Sequence, residues 1–144
     1  MNNDALGHFA DPKKPRLSIL IADDDVATLE TLKFMLQGFG YNVVADVKTG
    51  REAVNLAHKL NPDLIILDIG LPDMDGLDAA VQILSNRSVP IIIGTGISRE
   101  DVLERASALN IHSYLIKPFR SLQLQTSIRM AMIHHQQLKQ HPAD

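Results

Sequence analysis

The chain has 144 residues, 45% of them hydrophobic and 22% charged, with a formal net charge of −3, a size that fits one domain burying roughly 70% of its unfolded surface. It has no cysteine, so disulfides and thiolate-held metals are excluded, and its apolar runs are far shorter than a bilayer span. The acidic balance speaks against a general nucleic-acid binder, and the opening residues lack the apolar core of a signal peptide, so a cytoplasmic protein with no membrane or direct nucleic-acid partner is expected.

Residues 1–16 are polar, carry Pro12 and Pro15, and read as a flexible leader. "LSILIA" (17–22) is a β-branched apolar run and therefore a buried strand. Val26, Leu29, Leu32 and Met35 or Leu36 then recur at helical spacing until Gly38 and Gly40 stop the helix. "YNVVADV" (41–47) is a second strand, and 50–60 a helix with Ala53, Val54, Ala57 and Leu60 on one face, ended by Asn61-Pro62. "LIILD" (64–68) is a third buried strand, 69–76 a loop of turn residues, and 77–86 a helix. "VPIIIG" (89–94) is a fourth strand, and 98–110 a helix in which Ser98 and Asp101 approximate a capping box. "HSYLI" (112–116) is a fifth strand, and a last helix runs from Ser121 to about Gln140.

Apolar strands alternating with amphipathic helices predict an α/β fold, a doubly wound (βα)5 unit whose parallel sheet is covered on both faces. In such folds the site lies at the carboxyl ends of the strands, near a topological switch point. There the sequence places Asp23, Asp24 and Asp25 after strand 1, Asp68 at the end of strand 3, Thr95 after strand 4 and Lys117 after strand 5. Each alone reads as a cap or a solvated loop residue. Together they form an acidic cluster with a hydroxyl and a cation. Crowded carboxylates raise one another's pKa, and a hard divalent cation, Mg2+ or Mn2+, relieves the repulsion. Phosphoryl transfer needs mainly positioning and charge compensation. A carboxylate nucleophile would give an aspartyl phosphate.

Four segments carry a family resemblance: "ILIADDD", "PDLIILDIGLPDMDGLD", "PIIIGTG" and "SYLIKPF". In this order they resemble the receiver domain of two-component response regulators, over about residues 17–135, with 136–144 an extension of the last helix. The resemblance implies the CheY-like strand order 2-1-3-4-5. It implies that Asp68 is the phosphoacceptor, that Asp24 holds Mg2+ directly, that Asp23 holds it mostly through water, and that the carbonyl of Gly70 completes the set. Asp25 would cap the first helix. Thr95 would bond a phosphoryl oxygen, Lys117 would pair with Asp68 and then with the phosphoryl, Pro118 would follow a cis bond, and Tyr114 would be the aromatic that moves inward with Thr95. The implied donor is a sensor histidine kinase or a histidine phosphotransfer protein. The implied output is an undefined downstream protein, contacted around helix 4, strand 5 and helix 5.

The chain departs from the family pattern at several places. Gly70 follows Asp68 by two residues, where many relatives carry a larger side chain, and Gly96 stands where alanine is usual. Both remove bulk beside the phosphoryl, which predicts an open site; Ile97 partly restores the shielding. Gly94 and Gly96 flank Thr95 and read as freeing its backbone. Ser113 and Ser127 replace the Asp and Arg of relatives with winged-helix outputs, which argues against their ion-paired dimer.

Leu124, Ile128, Ala131, His135 and Leu138 follow a 4-3-4-3 spacing, which fits either a short coiled-coil seam in a homodimer or a helix face on the sheet. His134 and His135 point about 100° apart on a helix and cannot chelate from one face. Three rival sites fail on residues. A haloacid-dehalogenase-type phosphatase puts its nucleophile in the first motif. An EF-hand register beginning at Leu71 lacks two ligands. The Asp23–Asp25 turn would repel a pyrophosphate. A degenerate receiver acting only as a protein-binding module is the alternative.

Overall fold

The computed structural model describes residues 16–96, 100–109, 111 and 113–140. Five strands, β1 (Ser18–Ala22), β2 (Asn42–Val47), β3 (Leu64–Asp68), β4 (Ile91–Thr95) and β5 (Ser113–Ile116), alternate with five helices. The helices are α1 (Val26–Gly38), α2 (Gly50–Leu60), α3 (Gly76–Leu84), α4 (Glu100–Ala108) and α5 (Ser121–Gln140). Every strand pairing is parallel and the order is β2-β1-β3-β4-β5, as expected. The chain leaves β1 toward one edge and returns through β3 toward the other. The switch point therefore falls between the carboxyl ends of β1 and β3.

Strand alternation divides the core into two layers. Ile19, Ile21, Leu64, Ile66 and Ile92 face α1 and α5, which contribute Leu29, Leu32, Leu36, Leu124 and Ile128. Leu20, Ile65, Leu67, Ile91 and Ile93 face α2, α3 and α4, which contribute Ala53, Ala57, Leu77, Ala80, Ile83 and Val102. All five residues of β3 are buried, which explains why it reads as an unbroken apolar run ending in an acid.

The helical faces are narrower than their periodicity suggests. Val26 is 48% exposed and Leu60 42%, so neither belongs to the core. Leu124, Ile128 and Ala131 are buried against the sheet, so the regular stripe on α5 starts as a core face and not as a coiled-coil seam. Local chemistry sets the helix ends. The Asp25 carboxylate accepts from Thr28 N and caps α1. Thr49 caps α2, its Oγ1 accepting from Glu52 N, and Glu52 Oε1 accepts from the Thr49 hydroxyl and from Lys48 N. Asn61 ends that helix with φ 48°, a left-handed residue before Pro62. The leader up to residue 15, Ile97, Ser98 and the residues after Gln140 lie outside the described residues. Among the described helices, none is long and apolar enough to cross a membrane.

Candidate functional site

The first buried acid follows β1. Asp23 is 2% exposed, and its N–H donates to Val47 O at 3.0 Å, continuing the β1–β2 ladder by one bond. Its Oδ1 accepts from Asp25 N at 2.9 Å, which turns the carboxylate inward while Asp24 stays exposed. The second buried acid is Asp68, the last residue of β3, whose Oδ2 accepts from Gly70 N at 3.1 Å. Lys117, just beyond β5, reaches across the crevice. Its Nζ lies 2.6 Å from Asp23 Oδ2 and 2.6 Å from Asp68 Oδ1.

One cation thus bridges two buried carboxylates, with the exposed Asp24 beside them. Burial pushes the Asp68 carboxyl above the usual range. The hydrogen bond from Lys117 opposes this, and the Asp23 charge adds to it. Burial works against the Lys117 charge, but hydrogen bonds to Asp23 and Asp68 outweigh it and raise the ammonium pKa. The cluster still holds more negative than positive charge. Carboxylate oxygens of Asp23, Asp24 and Asp68 lie within 4.8 Å of one another. This is an all-oxygen, hard donor set with excess anionic charge. It fits Mg2+ or Mn2+ and would not suit a soft metal.

A carboxyl whose pKa is raised on folding favours the native state while protonated. Stability then falls as pH rises from the ordinary carboxylate value through the native one. Asp68→Asn removes that charge, and Lys117 keeps Asp23 as partner. The variant should therefore melt at a higher temperature than the parent at pH 7 without divalent cations, with the difference vanishing near pH 3. Thermal melts at the two pH values check this; a lower melting point at pH 7 would contradict it.

Thr95 ends β4, is 2% exposed, and its carbonyl accepts from Lys117 N at 2.8 Å. Its strand neighbour across the ladder is Ile116, and Ile93 pairs with Tyr114. Thr95 and the half-buried Tyr114 therefore share one sheet face, two residues apart along the ladder. The Lys117–Pro118 peptide is cis. A Cβ at Gly70 would start 3.5 Å from Asp68 Oδ2, whereas one at Gly96 would have nothing within 4 Å. Ile97, the third residue of the expected shielding set, is outside the described residues.

Two features of the site are invisible in a residue-by-residue reading. Gly94 is the seat of Phe119, because a Cβ there would lie 2.8 Å from the ring's Cζ. Packing, more than freedom of the backbone, requires glycine at 94. Gly76 is held against the backbone of the acceptor. A Cβ at 76 would overlap the Asp68 carbonyl and come within 2.9 Å of Ile69 Cα. Its N–H also closes the loop by donating to Ile69 O at 2.9 Å. The Asp75-Gly76 pair at a loop-to-helix junction was the available sequence signal.

A family model for the response regulator receiver domain matches residues 19–129. The transcriptional regulatory protein PdtaR of Mycobacterium tuberculosis is 41% identical over 123 residues, 85% of this chain but only 60% of that longer protein. Among solved structures, the signal receiver domain of a modulated diguanylate cyclase from Desulfovibrio desulfuricans G20 matches with TM-score 0.77 and 32% identity, covering 83% of this chain and 96% of that one. A CheY-like receiver domain protein from Methanospirillum hungatei JF-1 matches with TM-score 0.77 and 26% identity over the same shares.

Proposed function

The chain belongs to the response regulator receiver family, and on that premise we propose that it takes a phosphoryl group onto Asp68 and signals through the change that follows. One observation carries this reading: two buried carboxylates share a single lysine at the switch point of the sheet, with a third acid at the mouth.

A carboxylate oxygen of Asp68 attacks phosphorus of a phosphohistidine in a kinase or phosphotransfer protein. The P–N bond breaks, its electron pair returns to the imidazole nitrogen, and an acyl phosphate forms. Bound at Asp23, Asp24, Asp68 and the Gly70 carbonyl, Mg2+ would neutralise charge on the phosphoryl oxygens. Lys117 already touches Asp68 and follows the charge onto the new group. Thr95 donates its hydroxyl to a phosphoryl oxygen. Tyr114, on the same sheet face, takes the room this opens. The output face is then β5 with α4 and α5, where Ile116 and Leu122 are exposed. The small residues at 70 and 96 leave the acyl phosphate open to water, so its lifetime is short. The domain catalyses only its own gain and loss of phosphate and works in the cytoplasm. Intact mass after incubation with a small acyl-phosphate donor tests the proposal. One added phosphoryl that needs Mg2+ is expected, and no addition under any donor would favour a binding-only module.

The donor protein is expected on α1. Ala27, Thr31 and Phe34 lie at four- and three-residue spacing on one side of that helix. Ala27 and Thr31 also line a cavity with Lys117, Pro118 and Phe119. Phe34 is 81% exposed, the most exposed of the large apolar side chains among the described residues, and so is available to a partner. Phe34→Ala should raise KM for a phosphotransfer protein about tenfold, the typical loss for an aromatic anchor. Its rate with a small donor should be unchanged. Equal loss with both donors would contradict a docking role.

A further inference from the structure

The loop that carries Gly70 is fastened to α2 by Asp73, which is not one of the site residues around Asp68. Asp73 is exposed at the tip of that loop, yet both of its carboxylate oxygens are used. Oδ1 accepts from Gly50 N at 2.7 Å and Oδ2 from Arg51 N at 2.9 Å. These are the first two N–H groups of α2, donors with no partner inside the helix. The next two are already served by Thr49, through its hydroxyl to Glu52 N and its carbonyl to Ala53 N, each at 3.1 Å. Helix α2 thus has its own cap. Asp73 adds a second one from 23 residues along the chain, with its charge at the positive end of the helix.

The neighbouring residue completes the seat. Met74 lies where a side chain at position 50 would be, since a Cβ on Gly50 would overlap the Met74 Cγ and lie 2.9 Å from its sulfur. At its other end the same loop is closed by the Gly70–Asp75 bridge and by Gly76 N to Ile69 O. Between the two fastenings, Leu71 is buried in the core layer that faces α2, α3 and α4. Gly70, whose N–H touches Asp68, is therefore held from both sides.

We propose that Asp73 is a positioning residue: seated on the first turn of α2, it fixes the acceptor loop against Asp68 and thereby sets divalent-cation affinity and acyl-phosphate lifetime. The inference rests on the receiver reading above. Thr49 supplies the control, because it caps the same helix through bonds to Glu52 and Ala53, residues of that helix. In the full chain, Asp73→Ala, Asp73→Asn and Thr49→Ala are compared by Mn2+ binding, amide exchange at Gly50, Arg51 and Gly70, and phosphoryl half-life. Asp73→Ala should weaken Mn2+ binding about tenfold, the usual loss when a ligand's supporting contact is removed. It should speed exchange at all three amides and change the half-life. Asp73→Asn, which keeps one acceptor oxygen, should recover part of each effect. Thr49→Ala should lower the melting temperature but leave Mn2+ binding and half-life at parental values. Unchanged Mn2+ binding and half-life in Asp73→Ala would overturn the proposal, as would equal shifts in Thr49→Ala. No Mn2+ binding by the unaltered chain would overturn the receiver reading itself, before any variant is compared.

Discussion

Lys117→Met should destabilise the fold by about 3 kcal/mol at pH 7 without divalent cations, because it removes the shared partner of two buried charges. The ammonium lies 2.6 Å from each carboxylate, and the Asp23 and Asp68 side chains are 2% and 8% exposed. Without the lysine, two carboxylates face each other with little water to screen them. The figure is at the lower end of the range for broken buried pairs because Lys117 itself is 24% exposed. The loss depends on pH in a defined direction. Asp68 already has a raised pKa, so in acid it protonates early and the repulsion disappears. The gap between parent and variant should shrink as pH falls through that value. At the alkaline end the parent loses its advantage instead. The Lys117 pKa is raised on folding, so its contribution persists to the ordinary lysine value and is lost above it. Urea unfolding at pH 7 and pH 4, with and without Mg2+, reads all of this. The expected pattern is a deficit at pH 7 that Mg2+ reduces, and a variant as stable as the parent at pH 7 would contradict it.

Gly76→Ala should be the most damaging change that leaves every charged group of the site in place. The added methyl meets the carbonyl of Asp68 and the Cα of Ile69, both backbone, so neither can swing aside as a side chain would. Overpacking of this kind costs about 1–3 kcal/mol. The effect on chemistry is expected to be larger than the effect on stability. A displacement near 1 Å of a reacting group costs on the order of a hundredfold in rate, and here the displaced group is the acceptor. Phosphorylation by a small donor, compared with the melting temperature of the same sample, separates the two. A parental rate would show that the loop absorbs the methyl without moving Asp68.

Much of this fold can be read directly from β1, β3 and β4, where buried parallel strands leave unbroken apolar runs and each run ends in a polar residue. Asp23, Asp68 and Thr95 are conspicuous for that reason, and Lys117 for following the shorter run of β5. Their arrangement is another matter. That Lys117 bridges Asp23 as well as Asp68 depends on how β5 is laid beside β4, which no local pattern encodes. Gly94 reads as a hinge until Phe119, 25 residues later, is found against it. Gly76 and Asp73 act through backbone groups of Asp68, Gly50 and Arg51; the Asp75-Gly76 pair marks a turn in the sequence, but not which backbone it meets. Periodicity also overstates Val26 and Leu60, because it finds the side of a helix that faces inward but not how far the sheet beneath it extends.

The phosphoryl group is expected on Asp68. Treating the Mg2+-phosphorylated chain with borohydride reduces an acyl phosphate to an alcohol, so the acceptor becomes homoserine and peptide mapping locates it. Homoserine at position 68, absent without Mg2+ and absent in Asp68→Asn, is the predicted result. Homoserine at Asp23 or Asp24 in the unaltered chain, or a phosphoryl group retained by Asp68→Asn at the parental level, would contradict it.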